Sequence, residues 1–146
     1  MMVKRMSAGS LPAFPVRTVA LAGQIQASRR ARHALTQYLS HRGLLRGPDG
    51  HRSEQVECAL LVVSELVTNA CRHTPGPRYL GMAVRGGCLL LEVSDRSRTM
   101  PRVVPPEERG ASGGFGFGLV AALAEDWTVR TNSLGKAIRV TIPLTA

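Results

Sequence analysis

A carboxylate and a carboxamide break into an otherwise apolar run. In EQVECALLVVSELVTNACRHT, Glu54 to Thr74, Glu65 and Asn69 stand four residues apart, and Arg72 and His73 follow close behind. At 100° per residue, Val56, Ala59, Leu60, Val63, Val67 and Ala70 fall into one stripe that must pack on something, while Glu65, Asn69 and Arg72 lie together on the opposite side. That second side also carries Cys58, Leu61 and Val62, so the helix is more apolar than a single core contact requires. Such a helix can wall a pocket, with Glu65 and Asn69 facing into it. Taken alone, the pair also fits a solvated helix face, or an Asn that caps something local.

Two further segments carry chemistry. In LLEVSDRSRTMP, Leu90 to Pro101, a strand delivers Asp95 at its end. Ionised Asp only accepts hydrogen bonds, so it can receive one from an amino group such as the exocyclic nitrogen of adenine. An ordinary turn residue is written with the same letter. In GGFGFGLVAAL, Gly113 to Leu123, four glycines punctuate the start of an apolar helix. Glycines let backbone N–H groups approach an anion, and the helix N-terminus adds partial positive charge. A flexible linker would read alike. The spacing does not fit G-x-x-x-x-G-K-[ST], which excludes a Walker-type phosphate loop.

The elements that must hold these residues follow from periodicity. Ala27 to Ser40 places Ala31, Leu35, Tyr38 and Leu39 on one face, which predicts a first amphipathic helix, with a Gly- and Pro-rich connection after Gly43. Ser53 is the expected N-cap of a second helix that runs to about His73, where Thr74-Pro75-Gly76-Pro77 stops it. Arg78 to Arg85 and Cys88 to Asp95 flank Gly86-Gly87 and predict a β-hairpin. Arg96 to Gly114 reads as a loop, Phe117 to Ala124 as a helix, and Trp127 to Thr131 and Ala137 to Pro143 as two strands joined across Asn132 to Gly135. Helices first and strands afterwards predict an α+β fold, a two-layer α/β sandwich with helices on one face of a mixed, mostly antiparallel sheet.

Composition narrows the class. A chain of 146 residues with 44% hydrophobic and 20% charged residues predicts one globular domain over residues 13–146, behind a flexible N-terminus at 1–12. No apolar run approaches the ~20 residues that span a bilayer, and the basic N-terminus lacks the apolar stretch of a secretory signal, so a cytoplasmic protein with no membrane partner is the expectation. Cys58, Cys71 and Cys88 form an odd set without C-x-x-C spacing, neither a disulfide framework nor a zinc site, and each is expected in or near the core. The net charge of +9 comes from scattered arginines, with only Arg29, Arg30 and Arg32 close together, which argues against direct nucleic-acid binding and leaves room for an acidic protein partner.

In combination, E-x-x-x-N on a helix, D-x-S after a strand and G-x-G-x-G-L opening a helix resemble the GHKL ATPases, the superfamily of gyrase and histidine kinases, over roughly Glu54 to Pro143. SELVTNACRHT, GFGLVAALAEDW and the preceding helix look like the stand-alone anti-sigma-factor serine kinases and their actinobacterial relatives. The resemblance implies the GHKL (Bergerat) ATP-binding fold and a site for ATP and Mg²⁺. It implies that Asn69 holds Mg²⁺ against the triphosphate, that Glu65 is the general base toward an attacking serine hydroxyl, and that Asp95, with Ser97 behind it, reads adenine. Gly114, Gly116, Phe117, Gly118 and Leu119 would cradle phosphates beneath a lid made of Arg96 to Ser112. Arg72 and His73 would touch phosphate, brace the lid or serve structure alone. The implied partners are an anti-sigma-factor antagonist, a sigma factor and a second copy of the chain.

Three positions depart from the family pattern. Ser97 and Thr99 stand where glycines are usual. Gly135-Lys136-Ala137 stands where many relatives have a Thr after the Gly, and Ala137 lacks the hydroxyl that helps a water bind adenine. The loss of one such hydrogen bond, on the order of 1 kcal/mol, weakens nucleotide binding without abolishing it. Two functions therefore compete: a regulatory protein serine/threonine kinase, for which Glu65 speaks, and a non-catalytic nucleotide-dependent switch, for which Ala137 speaks.

Overall fold

The computed structural model describes residues 14–102 and 116–144. Strand β1 (Arg17–Ala20) leads into helices α1 (Ala27–His41) and α2 (Glu54–His73). The hairpin β2 (Pro77–Arg85) and β3 (Cys88–Asp95) follows, then helix α3 (Gly116–Leu123) and the hairpin β4 (Asp126–Asn132) and β5 (Gly135–Pro143). The five strands form one sheet in the order β1-β2-β3-β5-β4, with every pairing antiparallel. The N-terminus expected to be flexible, residues 1–12, and most of the expected lid lie outside the described residues.

Local signals place the elements. The Ser53 hydroxyl accepts from the Val56 N–H at 3.1 Å and caps α2. At the other end the Thr74 hydroxyl donates to Ala70 O at 2.6 Å and accepts from Gly76 N–H at 2.9 Å, turning the chain into β2 before Pro77. Gly86 and Gly87 have φ of 55° and 76°, the left-handed pair that a two-residue hairpin turn demands. β1 escaped the sequence reading because it is four residues long, exposed at the edge and without alternation.

The pleat sorts the strands. On one face Leu80, Met82, Leu89, Leu91, Val93, Ile138, Val140 and Ile142 meet the helices. From α1 come Ala31, Leu35, Tyr38 and Leu39, and from α2 Val56, Ala59, Leu60, Val63, Val67 and Ala70, as the spacing predicts. Val62 and Leu66 are also buried in this core, so the buried face of α2 is wider than the predicted stripe. Each such side chain contributes about 1.5–3 kcal/mol by leaving water. The cysteines divide: Cys58 and Cys88 are half-buried, but Cys71, expected near the core, is exposed on the last turn of α2 because its direction on that helix is away from the sheet.

The other face of the sheet is not bare. Phe14 and Pro15 lie across Gly81, where an added Cβ would come within 2.9 Å of Pro15 Cβ. Beneath them Glu92 and Arg139, cross-strand partners, form a buried ion pair, with Arg139 Nη2 2.8 Å and Nε 3.0 Å from Glu92 Oε2. Tyr79 donates its phenolic hydrogen to Glu92 Oε1 at 3.1 Å, and the Phe14 ring stacks 4.2 Å from the Arg139 guanidinium. No helix among the described residues is long and apolar enough to cross a membrane.

Candidate functional site

Where α2 ends, β3 finishes and β5 begins, the two layers part around a cavity of about 380 Å³. Its apolar walls are Leu66 and Ala70 of α2, Val93 and Ile138 of the sheet, and Phe117 of α3. Phe117 is held edge-on to Trp127, with ring centroids 4.8 Å apart, which fixes the first turn of α3 against β4. Asn69, His73 and Thr74 supply polar groups from α2, Asp95 and Lys136 from the strand ends, and Thr99 to Arg102 from the loop after β3. A largely apolar cleft with a few convergent polar groups is the usual form of a small-molecule site.

Among the described residues that line the cavity, Asn69 carries the buried polar atom that folding leaves unsatisfied. Its Nδ2 is buried and has no hydrogen-bond partner, at the wall of the cavity. A buried amide without a partner costs on the order of 1–3 kcal/mol, and a ligand in the cavity removes that cost.

Asp95 is 3% exposed, yet it is not alone. Its Oδ1 accepts from the Ser97 N–H at 2.8 Å, a local turn that aims the carboxylate. Lys136 Nζ lies 3.1 Å from Oδ1 and 3.0 Å from Oδ2, and also reaches Ser97 O at 3.3 Å. The sheet register creates this pair: Asp95 and Lys136 are direct partners across β3 and β5. Gly135 permits it, because a Cβ there would run into Asp95 O and the Arg96 backbone. A buried carboxylate needs such a partner, since burial without one disfavours the charge by several kcal/mol.

The structure brings some expected residues together and leaves others apart. Asn69, His73, Asp95 and Phe117 line the cavity, and Ser97 braces Asp95 from behind. Glu65 is half-buried one turn before Asn69 and is not part of the wall. Arg72 is exposed and points elsewhere. Gly116, Gly118 and Leu119 form the first turn of α3 beside Phe117; Gly118 and Leu119 do not line the cavity, and Gly114 lies outside the described residues. Thr99 to Arg102, within the expected lid segment, line the cavity, whereas sequence reasoning missed Thr74 and above all Lys136. It weighed Ala137, but the pleat pairs Ala137 with Ser94 on the far face and turns Lys136 toward the cavity. The available signal was Gly135, whose spacing before Lys136 fixes which residue of the strand faces inward.

With this geometry in hand, comparison with known proteins decides the family. Residues 21–142 match the histidine kinase-like ATPase domain. The chain belongs to the histidine kinase-like ATPase family. A comparison with curated protein sequences returns no match. Among solved structures, the RsbU and RsbW domains of a Mycobacterium tuberculosis protein superpose with a TM-score of 0.60 at 20% identity, over 86% of this chain and 31% of that one. The histidine kinase domain of the Erythrobacter litoralis EL346 blue-light-activated histidine kinase is 25% identical over 81% of this chain and 59% of that one, with a TM-score of 0.46. This chain thus spans about a third of the first structure's length and under two thirds of the second's. The open antiparallel sheet with helices on one face is the fold of this family.

Proposed function

We propose that the chain is an ATP-binding regulatory protein serine/threonine kinase of the anti-sigma-factor type. The observation that carries the reading is the unpartnered Nδ2 of Asn69 on the wall of a cavity that Asp95 also lines. In this reading Asp95 accepts a hydrogen from the adenine amine, and Phe117, Ala70 and Ile138 cover the ring. The first turn of α3, with Gly116, Gly118 and Leu119, faces the phosphates with its N–H groups, and His73, which lines the cavity, sits toward the same end.

Asn69 would hold Mg²⁺ by its carboxamide oxygen, with the amide turned over from the orientation that leaves Nδ2 unpartnered; as oriented, it would donate an N–H to a phosphate instead. Mg²⁺, when bound, offsets the negative charge of the triphosphate. Glu65 takes the proton of the attacking serine hydroxyl on an antagonist protein. The new bond joins that oxygen to the γ-phosphorus, and the bond from γ-phosphorus to the bridging oxygen breaks toward ADP, which leaves with the electron pair. The phosphorylated antagonist then releases the chain, as a homodimer, to hold its sigma factor. The positive net charge of +9 suits acidic partner surfaces.

Glu65 stands outside the cavity wall, and this one observation favours a second reading, a non-catalytic nucleotide-dependent switch. The two separate cleanly. Glu65→Gln keeps size and removes the base, so MgATP titration should be unchanged while phosphate transfer to a co-purified antagonist falls by roughly 10²- to 10⁴-fold. If wild type binds MgATP but transfers phosphate no faster than Glu65→Gln, the switch is the correct account.

A further inference from the structure

The pairing of Asp95 with Lys136 gives the cavity a donor where the reading above used only an acceptor. Asp95 Oδ1 is fully engaged, by the Ser97 N–H at 2.8 Å and by Lys136 at 3.1 Å. Oδ2 receives Lys136 alone, at 3.0 Å, which leaves one of its lone pairs for a ligand. An ammonium carries three protons. One N–H shared between the two carboxylate oxygens accounts for their near-equal distances, a second goes to Ser97 O at 3.3 Å, and the third is left for the cavity that Lys136 lines. The end of the cavity thus presents an acceptor and a charged donor side by side. The Asp95 backbone against Gly135 and the ladder between β3 and β5 hold both in place.

We propose that Lys136 is a base-reading residue: with Asp95 accepting from the adenine amine, the Lys136 ammonium donates to a ring nitrogen beside that amine. This deepens, and rests on, the reading of the cavity as an adenine-nucleotide site. Adenine presents an N–H donor at its 6-amine flanked by acceptors at N1 and N7, so an adjacent acceptor and donor match either edge of that amine. A hydroxyl at Ala137 would lie on the far face of the sheet, so its absence costs the cavity nothing. The donor on the cavity side is Lys136, charged and therefore stronger than a neutral one. The ammonium also holds the Asp95 carboxylate in place through their ion pair, so one side chain both reads the base and positions the other reader.

Calorimetric titration of the full chain with ADP, 1-deaza-ADP and 7-deaza-ADP tests this. The analogues each remove one ring acceptor and keep the amine. One of them should bind wild type at least about tenfold more weakly than ADP, as expected for a lost hydrogen bond to a charged group. In Lys136→Met that ratio should collapse to near one. Should Lys136→Met lose its native circular dichroism, Lys136→Thr repeats the comparison with a shorter side chain that still offers Asp95 a donor. Equal binding of all three ligands by wild type overturns the proposal, as does a deaza penalty that survives in the folded variant. Absence of ADP binding by wild type is a different result, which removes the nucleotide reading itself and this proposal with it.

Discussion

Strands β3 and β5 carry two buried carboxylate–cation pairs three residues apart, one on each face of the sheet. Glu92 with Arg139 faces away from the helices, and Asp95 with Lys136 faces the cavity. The outer pair is closed. Arg139 donates twice to one carboxylate oxygen, Tyr79 fills the other, and the Phe14 ring covers the guanidinium. The inner pair is open, with a lone pair on Oδ2 and the neighbouring Asn69 amide unspent. The same residue classes, in the same ladder, thus serve two purposes. Where protein groups cover a buried pair, it locks a sheet together; where a cavity borders the pair, as at Asp95 and Lys136, it is open to a ligand.

The largest effect should come from opening the closed pair. Arg139→Met strands the Glu92 carboxylate in a sealed environment, which should cost about 3–5 kcal/mol of stability. Denaturant unfolding should register that loss, while ADP affinity, measured well below the unfolding midpoint, stays within twofold of wild type. Asp95→Asn should give the opposite profile. Affinity for ADP and ATP should fall tenfold or more, and the stability loss should be smaller than that of Arg139→Met, because the cavity admits water to the ammonium left behind. If Asp95→Asn proves the more destabilising of the two and leaves nucleotide affinity intact, the open and closed assignments must be exchanged.

The smallest effect is electrostatic. Burial pushes the Tyr79 hydroxyl above its usual 10.0, and the Glu92 charge and hydrogen bond push it the same way. The folded state therefore holds that proton more tightly than the unfolded one, so the benefit is complete below pH 10 and drains away as pH climbs toward the raised value. Tyr79→Phe should cost about 1 kcal/mol at neutral pH and flatten the alkaline decline of stability, as read from unfolding midpoints between neutral and strongly alkaline pH. An unchanged alkaline limb in Tyr79→Phe would mean that the outer pair is wetter than its burial implies.

Local signals in the sequence were strong, and they fixed most of the fold. Ser53, the apolar stripe from Val56 to Ala70, and the Gly86-Gly87 turn each act within a few residues, so helix α2 and the β2–β3 hairpin were readable with nearly their observed ends. Asn69 and Asp95 were legible because they interrupt strong patterns. Lys136 was not, because a lysine after a glycine reads as a solvated turn residue, and its partner is 41 positions away in the chain. Only the register of β5 against β3 turns that lysine inward. The cover of Phe14 and Pro15 over Gly81 was hidden for the same reason: neither strand pattern nor composition announces a contact across the back of a sheet.

The unequal exposure of the three cysteines gives the molecule a built-in reporter position. Cys71 is the accessible thiol, and it sits two residues before His73 at the rim of the cavity, while Cys58 and Cys88 are shielded. A maleimide fluorophore added in mild excess should settle mainly at Cys71, on the last turn of α2 and close to the cavity, with no substitution required. Cys88 begins the strand that ends at Asp95, seven residues along, about 23 Å away at the usual rise of a strand. Slow labelling there would report on opening of the sheet rather than on occupancy of the site, so one unmodified chain carries separate optical readouts for binding and for folding.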